Sequence, residues 1–318
     1  MKKTPAALSA ISLAGILACG ALALSLRAQQ PVQAPQQQKK APGTIRVKVE
    51  LVDILASVTD ASGKPIPDLD QSAFELYEEG VPQKIERFEA QTSRPLDIAL
   101  MVDSSMSTFK DLKFENEAAA HFIGQVVRPG DTLAVFEFSD GVTQLSNFSS
   151  DIPTLQAAVR KISPGAGTPM YDAIVLGSRA LQRQPSQRRR AIVMVTDAGE
   201  TTSASKFEDA RRAAIASETL LYSIVIRPVK NESGRNTAGE HALITITDSA
   251  GGNQFILDEL DQLDAMYDRI NRELRTQYLL GYYPNPAPPY GSRRHVEVKV
   301  KSGYTVRSRT EYMVSGAD

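Results

Sequence analysis

The sequence predicts a doubly wound α/β domain inserted between two β segments that pair with each other. Two observations carry that expectation. From Leu96 onward, near-continuous apolar strands alternate with amphipathic helical stretches, the pattern of a parallel sheet covered on both faces. On either side of that stretch the rhythm changes to strict period two, the pattern of half-buried antiparallel strands.

The chain begins with Lys2-Lys3, an apolar stretch from Ala6 to Leu26 and then Leu-Arg-Ala-Gln (26–29). This is the layout of a bacterial secretory signal, residues 1–28, with cleavage after Ala28. The apolar stretch is also long enough to stay as an uncleaved membrane anchor. Ile-Leu-Ala-Cys (16–19) loosely resembles a lipoprotein processing site, although apolar sequence continues past Cys19. All three readings place the folded part outside the cytoplasm: periplasmic, secreted or on the cell surface. Residues 29–43, rich in Gln, Pro and Ala, read as a disordered linker.

From Thr44, Ile45, Val47, Val49 and Leu51 alternate with Arg46, Lys48 and Glu50, as in a half-buried strand. Further strands are expected over Ile54–Thr59, Phe74–Glu78 and Lys84–Glu89, with turns at Asp60-Ala-Ser-Gly and Glu79-Gly-Val-Pro. Residues 44–92 are thus one part of a β unit, too thin to form a two-sheet sandwich alone. The α/β domain is expected over 93–283, with strands at 96–103, 132–138, 191–197, 219–226 and 253–257. Its helices show core stripes: Leu112, Ala119, Phe122, Val126; Ile152, Leu155, Val159, Ile162; and Leu260, Leu263, Tyr267, Ile270, Leu274. Period two returns after Tyr278, most clearly where Val296, Val298 and Val300 alternate with Glu297, Lys299 and Lys301. Residues 284–318 then supply the second part of the β unit, and the α/β domain is an insertion in a sandwich-like whole.

Composition narrows the function. The chain has 36 basic and 37 acidic residues, and loss of Lys2, Lys3 and Arg27 with the leader would leave 33 against 37, a formal charge of −4. That is no footprint for nucleic acid, and membrane contact is expected only through a retained leader. The dense basic run Arg188-Arg189-Arg190 reads as the solvated start of a strand. The single cysteine, Cys19, lies in the leader, so the exported part is expected to hold no disulfide and to depend on its core.

Five short oxygen-bearing side chains fall at the ends of predicted strands and loops. Asp103, Ser105 and Ser107 close Leu-Asp-Ile-Ala-Leu-Met-Val-Asp-Ser-Ser-Met-Ser (96–107); Thr168 lies in Gly-Ala-Gly-Thr-Pro-Met-Tyr-Asp-Ala-Ile (165–174); Asp197 ends Ala-Ile-Val-Met-Val-Thr-Asp (191–197). Ligands of open α/β sheets bind in the crevice at the carboxyl ends of the strands, and hard cations take such donors. Asp-x-Ser-x-Ser alone says little, since Ser107 equally suits the N-cap of a helix starting near Phe109. All five in this order resemble the metal-ion-dependent adhesion site (MIDAS) of von Willebrand factor type A (VWA) domains, a resemblance covering about Leu96 to Tyr283. It implies a Rossmann-like fold and a Mg²⁺ ion, with Mn²⁺ or Ca²⁺ as alternates. It also implies hydroxyl ligation by Ser105 and Ser107, ligation by Thr168 directly or through water, and Asp103 and Asp197 acting through waters. The implied partner is an extracytoplasmic protein offering a Glu or Asp carboxylate. Two departures stand out: Ser-Met-Ser in the first loop, and Ala198 before Gly199 where glycine usually follows the aspartate at once.

Arg87 to Asp103, the Gly-Thr-Pro-Met-Tyr-Asp-Ala loop and Tyr-Leu-Leu-Gly-Tyr-Tyr-Pro (278–284) resemble, more narrowly, the secreted VWA-related proteins common in acidobacteria. Near the five residues, Asp140 and Asp172 are close in sequence, Asp172 as a helix-start residue, and Glu200 reads as an exposed loop carboxylate. No catalytic machinery is legible. The sequence has no Gly-x-Ser-x-Gly elbow, His-Glu-x-x-His helix or Walker loop, and none of its three histidines, His121, His241 and His295, neighbours a motif residue. The expectation is a binding module, not an enzyme. The alternatives are an envelope scaffold whose metal site is unused for binding and, behind it, a Mg²⁺-dependent hydrolase.

Overall fold

A computed structural model describes residues 51–106, 112–227, 236–301 and 303–314. The leader, the linker, the expected strand residues before Leu51 and Ser107 lie outside the described residues. Two strand systems are present. Their strands in chain order are β1 (Val52–Thr59), β2 (Phe74–Glu78), β3 (Val81–Gln83), β4 (Arg87–Glu89), β5 (Leu96–Asp103), β6 (Thr132–Phe138), β7 (Val142–Gln144), β8 (Arg189–Thr196), β9 (Thr219–Ile226), β10 (Asn253–Leu257), β11 (Tyr278–Tyr282), β12 (Arg293–Val300), β13 (Thr305–Ser308) and β14 (Glu311–Met313). The helices are α1 (Leu112–Val126), α2 (Ile152–Val159), α3 (Met170–Gln182), α4 (Phe207–Ala216), α5 (Thr237–Ala250) and α6 (Leu263–Arg275).

The central sheet has the order β10-β9-β8-β5-β6-β7. It is parallel except at the edge strand β7, which runs against β6. Every residue of β5, β8 and β9 is buried, as a strand covered on both faces requires. Successive β5 residues serve opposite cores. Leu96, Ile98, Leu100 and Val102 pack with α1, α2 and α6, while Ala99 and Met101 pack with α3, α4 and α5. Tyr267 of α6 stacks on Phe122 of α1, with ring centroids 4.5 Å apart. Among the described residues, no helix is long and apolar enough to cross a membrane.

The flanks build two further four-stranded sheets, β13-β1-β11-β4 and β14-β12-β2-β3. Both mix strands from the two ends of the chain: β1 pairs with β13, and β2 with β12, all antiparallel. They close on one core of Ile54, Ala56, Val58, Phe74, Leu76, Tyr278, Leu280, Tyr282, Val296 and Val298. Leu279 pairs with Leu55 and Glu89, so β11, which the sequence reading placed in the α/β domain by its boundary at 283, is a strand of the flanking sheet. The turn expected at Glu79-Gly-Val-Pro is shorter than expected, because Val81–Gln83 pairs back on β2.

The sandwich attaches at the strand-start pole of the central sheet. Leu55 packs against the α/β core, Arg309 donates to the Asp53 carbonyl at 2.7 Å and pairs with Glu218 at 2.8 Å. The basic run sits at this pole, and it is not a solvated strand start. Arg188 grips Asp97, Nε reaching both carboxylate oxygens at 2.8 Å. Arg189 is buried and donates to the carbonyls of Arg94 and Leu274 and to Gln277 Oε1. Arg190 donates to the carbonyls of Ser217 and Gln184. Burial foremost, and then the charge of Arg275, pull the Arg189 guanidinium down to about 10. The opposite, strand-end pole carries the candidate site.

Candidate functional site

Neighbouring parallel strands bring the first donors together. Val102 of β5 is in register with Val195 of β8, so Asp103 and Thr196 lie side by side at the rim. Asp103 is fully buried; its Oδ2 accepts from Thr196 Oγ1 at 2.6 Å and its Oδ1 from the Ser105 amide at 3.0 Å. Ser105, also buried, forms a parallel bridge with Gly165, whose amide donates to the Ser104 carbonyl at 2.9 Å. That bridge draws the Gly-rich loop to the end of β5.

Thr168 is placed by that loop. Its amide donates to Thr201 Oγ1 at 2.9 Å, and its carbonyl accepts from the Thr201 amide at 3.1 Å. Gly167 lies so close to its neighbours that a Cβ there would sit 2.7 Å from Thr202 Oγ1 and 2.9 Å from the Ser139 carbonyl. A larger residue would push Thr168 away from the rim. Asp197 Oδ1 accepts from the Gly199 amide at 2.8 Å. A single point beside Gly199, where its Cβ would lie, is 2.9 Å from Asp197 Oδ1 and 3.5 Å from Thr168 Oγ1. Asp197 and Thr168 therefore converge, and Asp103 is close enough to Asp197 to feel its charge. Burial first, and then that charge, push the Asp103 carboxyl up to about 6 against the hydrogen bonds from Thr196 and Ser105.

Of the five predicted residues, the structure gathers Asp103, Ser105, Thr168 and Asp197 at one end of the sheet, while Ser107 lies outside the described residues. Four supporting residues were not singled out as such from sequence. Thr196 donates to Asp103, and Thr201 fixes Thr168. Asp140 Oδ1 accepts from the Ala166 amide at 2.8 Å and so holds the Gly-rich loop. Glu200, read as an exposed loop carboxylate, is half-buried; its Oε2 accepts from the Tyr171 amide at 3.0 Å at the start of α3 and from Ser203 Oγ at 2.7 Å. A carboxylate at a helix N-terminus is stabilised there by the amides it receives. Asp172, in the first turn of α3, accepts from the amides of Ala204 and Ser205 at 2.9 and 2.8 Å, tying α3 to the loop after β8. Only the position of Thr196 before Asp197, at the end of a strand paired with β5, carried a sequence signal.

The departure at Ala198 has a structural setting. Ala198 has φ +61°, the left-handed region, and is fully buried. Its amide donates to Thr196 Oγ1 at 3.0 Å. Its carbonyl faces α5, where a Cβ on Gly239 would lie 1.9 Å from the Ala198 oxygen. The peptide after Asp197 is thus wedged between β8 and the first turn of α5.

The donor set suits one kind of ion. Two aspartates and two hydroxyls are all hard oxygen donors, the set that Mg²⁺, Mn²⁺ or Ca²⁺ takes. Among the described residues no group of three His, Cys, Asp or Glu side chains is placed to share a metal, so an ion here leans on hydroxyl oxygens. A cation also answers the crowding of Asp103 and Asp197, whose charges oppose each other in a buried setting.

Residues 98–200 match the von Willebrand factor type A domain family. The chain is similar to a von Willebrand factor type A protein from Catenulispora acidiphila, at 14% identity over 76% of this chain and 72% of that one, with a TM-score of 0.50. It is similar to an aerotolerance-related membrane protein from Bacteroides fragilis, at 19% identity over 56% of this chain and 98% of that one, with a TM-score of 0.45. It is also similar to the pilus adhesin SpaC from Lactobacillus rhamnosus, at 10% identity over 79% and 48% of the two chains, with a TM-score of 0.49. No curated protein sequence matches the chain. The matched residues 98–200 lie in the α/β unit, whose parallel sheet and helices are extended by sheets built from the flanking strands.

Proposed function

We propose that the protein is an exported interaction module that captures a Glu or Asp carboxylate of a partner protein through a divalent cation, Mg²⁺ first among candidates. The observation that carries the reading is the convergence of Asp103, Ser105, Thr168 and Asp197 at the one pole of the central sheet that the sandwich does not use. Ser107, two residues after Ser105 in the sequence, completes the proposed set. When bound, the ion supplies a positive centre that accepts a carboxylate oxygen as a ligand. The chain's own residues do the rest. Thr196 and the Ser105 amide orient the Asp103 carboxylate, Thr201 fixes the Thr168 backbone, and the Gly199 amide aims Asp197. Hydroxyl donors add no negative charge, which leaves the ion its attraction for an incoming anion.

Binding, not catalysis, is the proposed outcome, because the set holds a partner without offering it a nucleophile activated by a base. An extracytoplasmic location follows from the leader pattern at residues 1–28. The test is capture of envelope proteins on the immobilised protein in Mg²⁺ and in EDTA, alongside Asp103→Ala. Capture that is lost in EDTA and in the variant supports the reading. Capture indifferent to both moves the contact elsewhere on the surface, and the scaffold reading takes its place.

A further inference from the structure

The pole opposite the candidate metal site holds a half-open cavity of about 190 Å³ between the sandwich and the starts of the parallel strands. Arg94, Arg188, Arg189 and Arg309 line it, with Asp53 and Glu218 as the only acidic lining residues. The cations are not equally satisfied. Arg188 is neutralised by the buried Asp97. Arg189 spends its donors on carbonyls and on Gln277. The remaining pair is different. Arg94 shares the single carboxylate of Asp53 with Arg87, at 2.9 and 3.2 Å. Arg309, 7% exposed, reaches Glu218 and the Asp53 carbonyl, but its Nε is buried with no hydrogen-bond partner. The four guanidiniums of the wall face three carboxylates, Asp53, Glu218 and the Asp97 that pairs with Arg188, and Arg87 also draws on Asp53, leaving the site short of negative charge.

The rest of the wall is apolar: Leu55 and Leu279 from the sandwich, Ile215 and Leu220 from the α/β unit. The volume falls below the roughly 300 Å³ at which pockets for drug-sized ligands begin, so the occupant is small. We propose that this cavity is a binding site for a small organic monocarboxylate, its carboxylate between Arg94 and Arg309 and its apolar body against Leu55, Ile215, Leu220 and Leu279. Guanidinium forks suit carboxylates in particular. An occupant touches strands of both units, so it braces the junction without approaching the metal site. The assignment is independent of the proposed capture of a partner.

Benzoate is the probe, titrated into the full chain with thermal unfolding and calorimetry as readouts. Ligand that binds only the folded protein raises Tm with concentration. The expected result is a saturable benzoate-dependent rise that persists in EDTA. Arg94→Gln leaves Asp53 paired with Arg87, so the variant is expected to fold and to bind benzoate about tenfold more weakly or worse. Arg87→Gln leaves the Asp53 carboxylate wholly to Arg94, and it too weakens benzoate binding. No saturable response in the wild type, or an equal response in wild type and Arg94→Gln, would overturn the site. Inorganic phosphate raising Tm as much as benzoate would overturn the assignment to an organic carboxylate, since the apolar wall would then contribute nothing.

Discussion

Strand β5 carries an aspartate near each end, and the two have opposite surroundings. Asp97 and Asp103 are both fully buried. Asp97 receives Arg188 through both carboxylate oxygens and Thr132 Oγ1 at 2.6 Å. Asp103 receives an amide and a threonine hydroxyl, and faces the charge of Asp197. At the first end the chain supplies its own cation. At the second it gathers carboxylates and hydroxyls, an arrangement that a divalent ion would complete. The lesson is that the same residue type on one strand closes an internal ion pair at one pole and, in the proposed reading, serves recognition at the other, and the counter-charge decides which.

The largest expected effect lies at the stability pole. Asp97→Asn leaves the Arg188 guanidinium without its charge partner and costs about 3 kcal/mol, read from the midpoint of urea unfolding. It should leave Mg²⁺ affinity nearly unchanged. An Asp97→Asn protein as stable as wild type would erase the contrast between the two ends.

Next comes the wedge behind Asp197. Gly239→Ala drives a methyl into the Ala198 carbonyl, and the strain costs about 1–3 kcal/mol. Because that carbonyl belongs to the residue after Asp197, Mg²⁺ affinity is expected to fall as well. Destabilisation with full affinity would show that α5 does not position the site. Thr168→Ala is a subtler cut. Its backbone bonds to Thr201 remain, so Mg²⁺ binding should weaken little while partner capture drops about tenfold, a typical coupling between linked sites. Equal losses in both measurements would break that ordering. The smallest effect belongs to Ala198→Gly, which relieves a left-handed alanine but loosens the unfolded chain and removes a buried methyl. The sum should stay within about 1 kcal/mol.

The sequence made the central sheet legible because β5, β6, β8 and β9 each hold an apolar run, and β10 ends in a short one, Phe255–Leu257; periodicity needs no knowledge of partners. The helices α1, α2 and α6 showed themselves by their stripes. Helix α4 was harder to read: its core contacts are small residues such as Ala210 and Ala214, which carry little periodic signal. Strands β3, β7 and β14 have three residues each and exist only through their pairings, so a one-dimensional reading takes them for turn or tail. The candidate donors stood out in the sequence because short oxygen-bearing side chains after apolar strands, and in a Gly-rich loop, are conspicuous. Their supports were not. Thr201, Asp140 and Glu200 act through backbone amides brought close only by folding. Arg188–Arg190 misled for a related reason: a basic run looks solvated until Asp97, 91 residues from Arg188, closes over it.

The most direct test of the central claim is calorimetric titration of Mg²⁺ into the wild type and Asp103→Asn, with thermal unfolding of both in EDTA. The account predicts one ion per wild-type chain. It also predicts at least a tenfold weaker affinity in the variant, and a metal-free Tm that falls far less than in Asp97→Asn. Equal Mg²⁺ affinity in wild type and Asp103→Asn would contradict it.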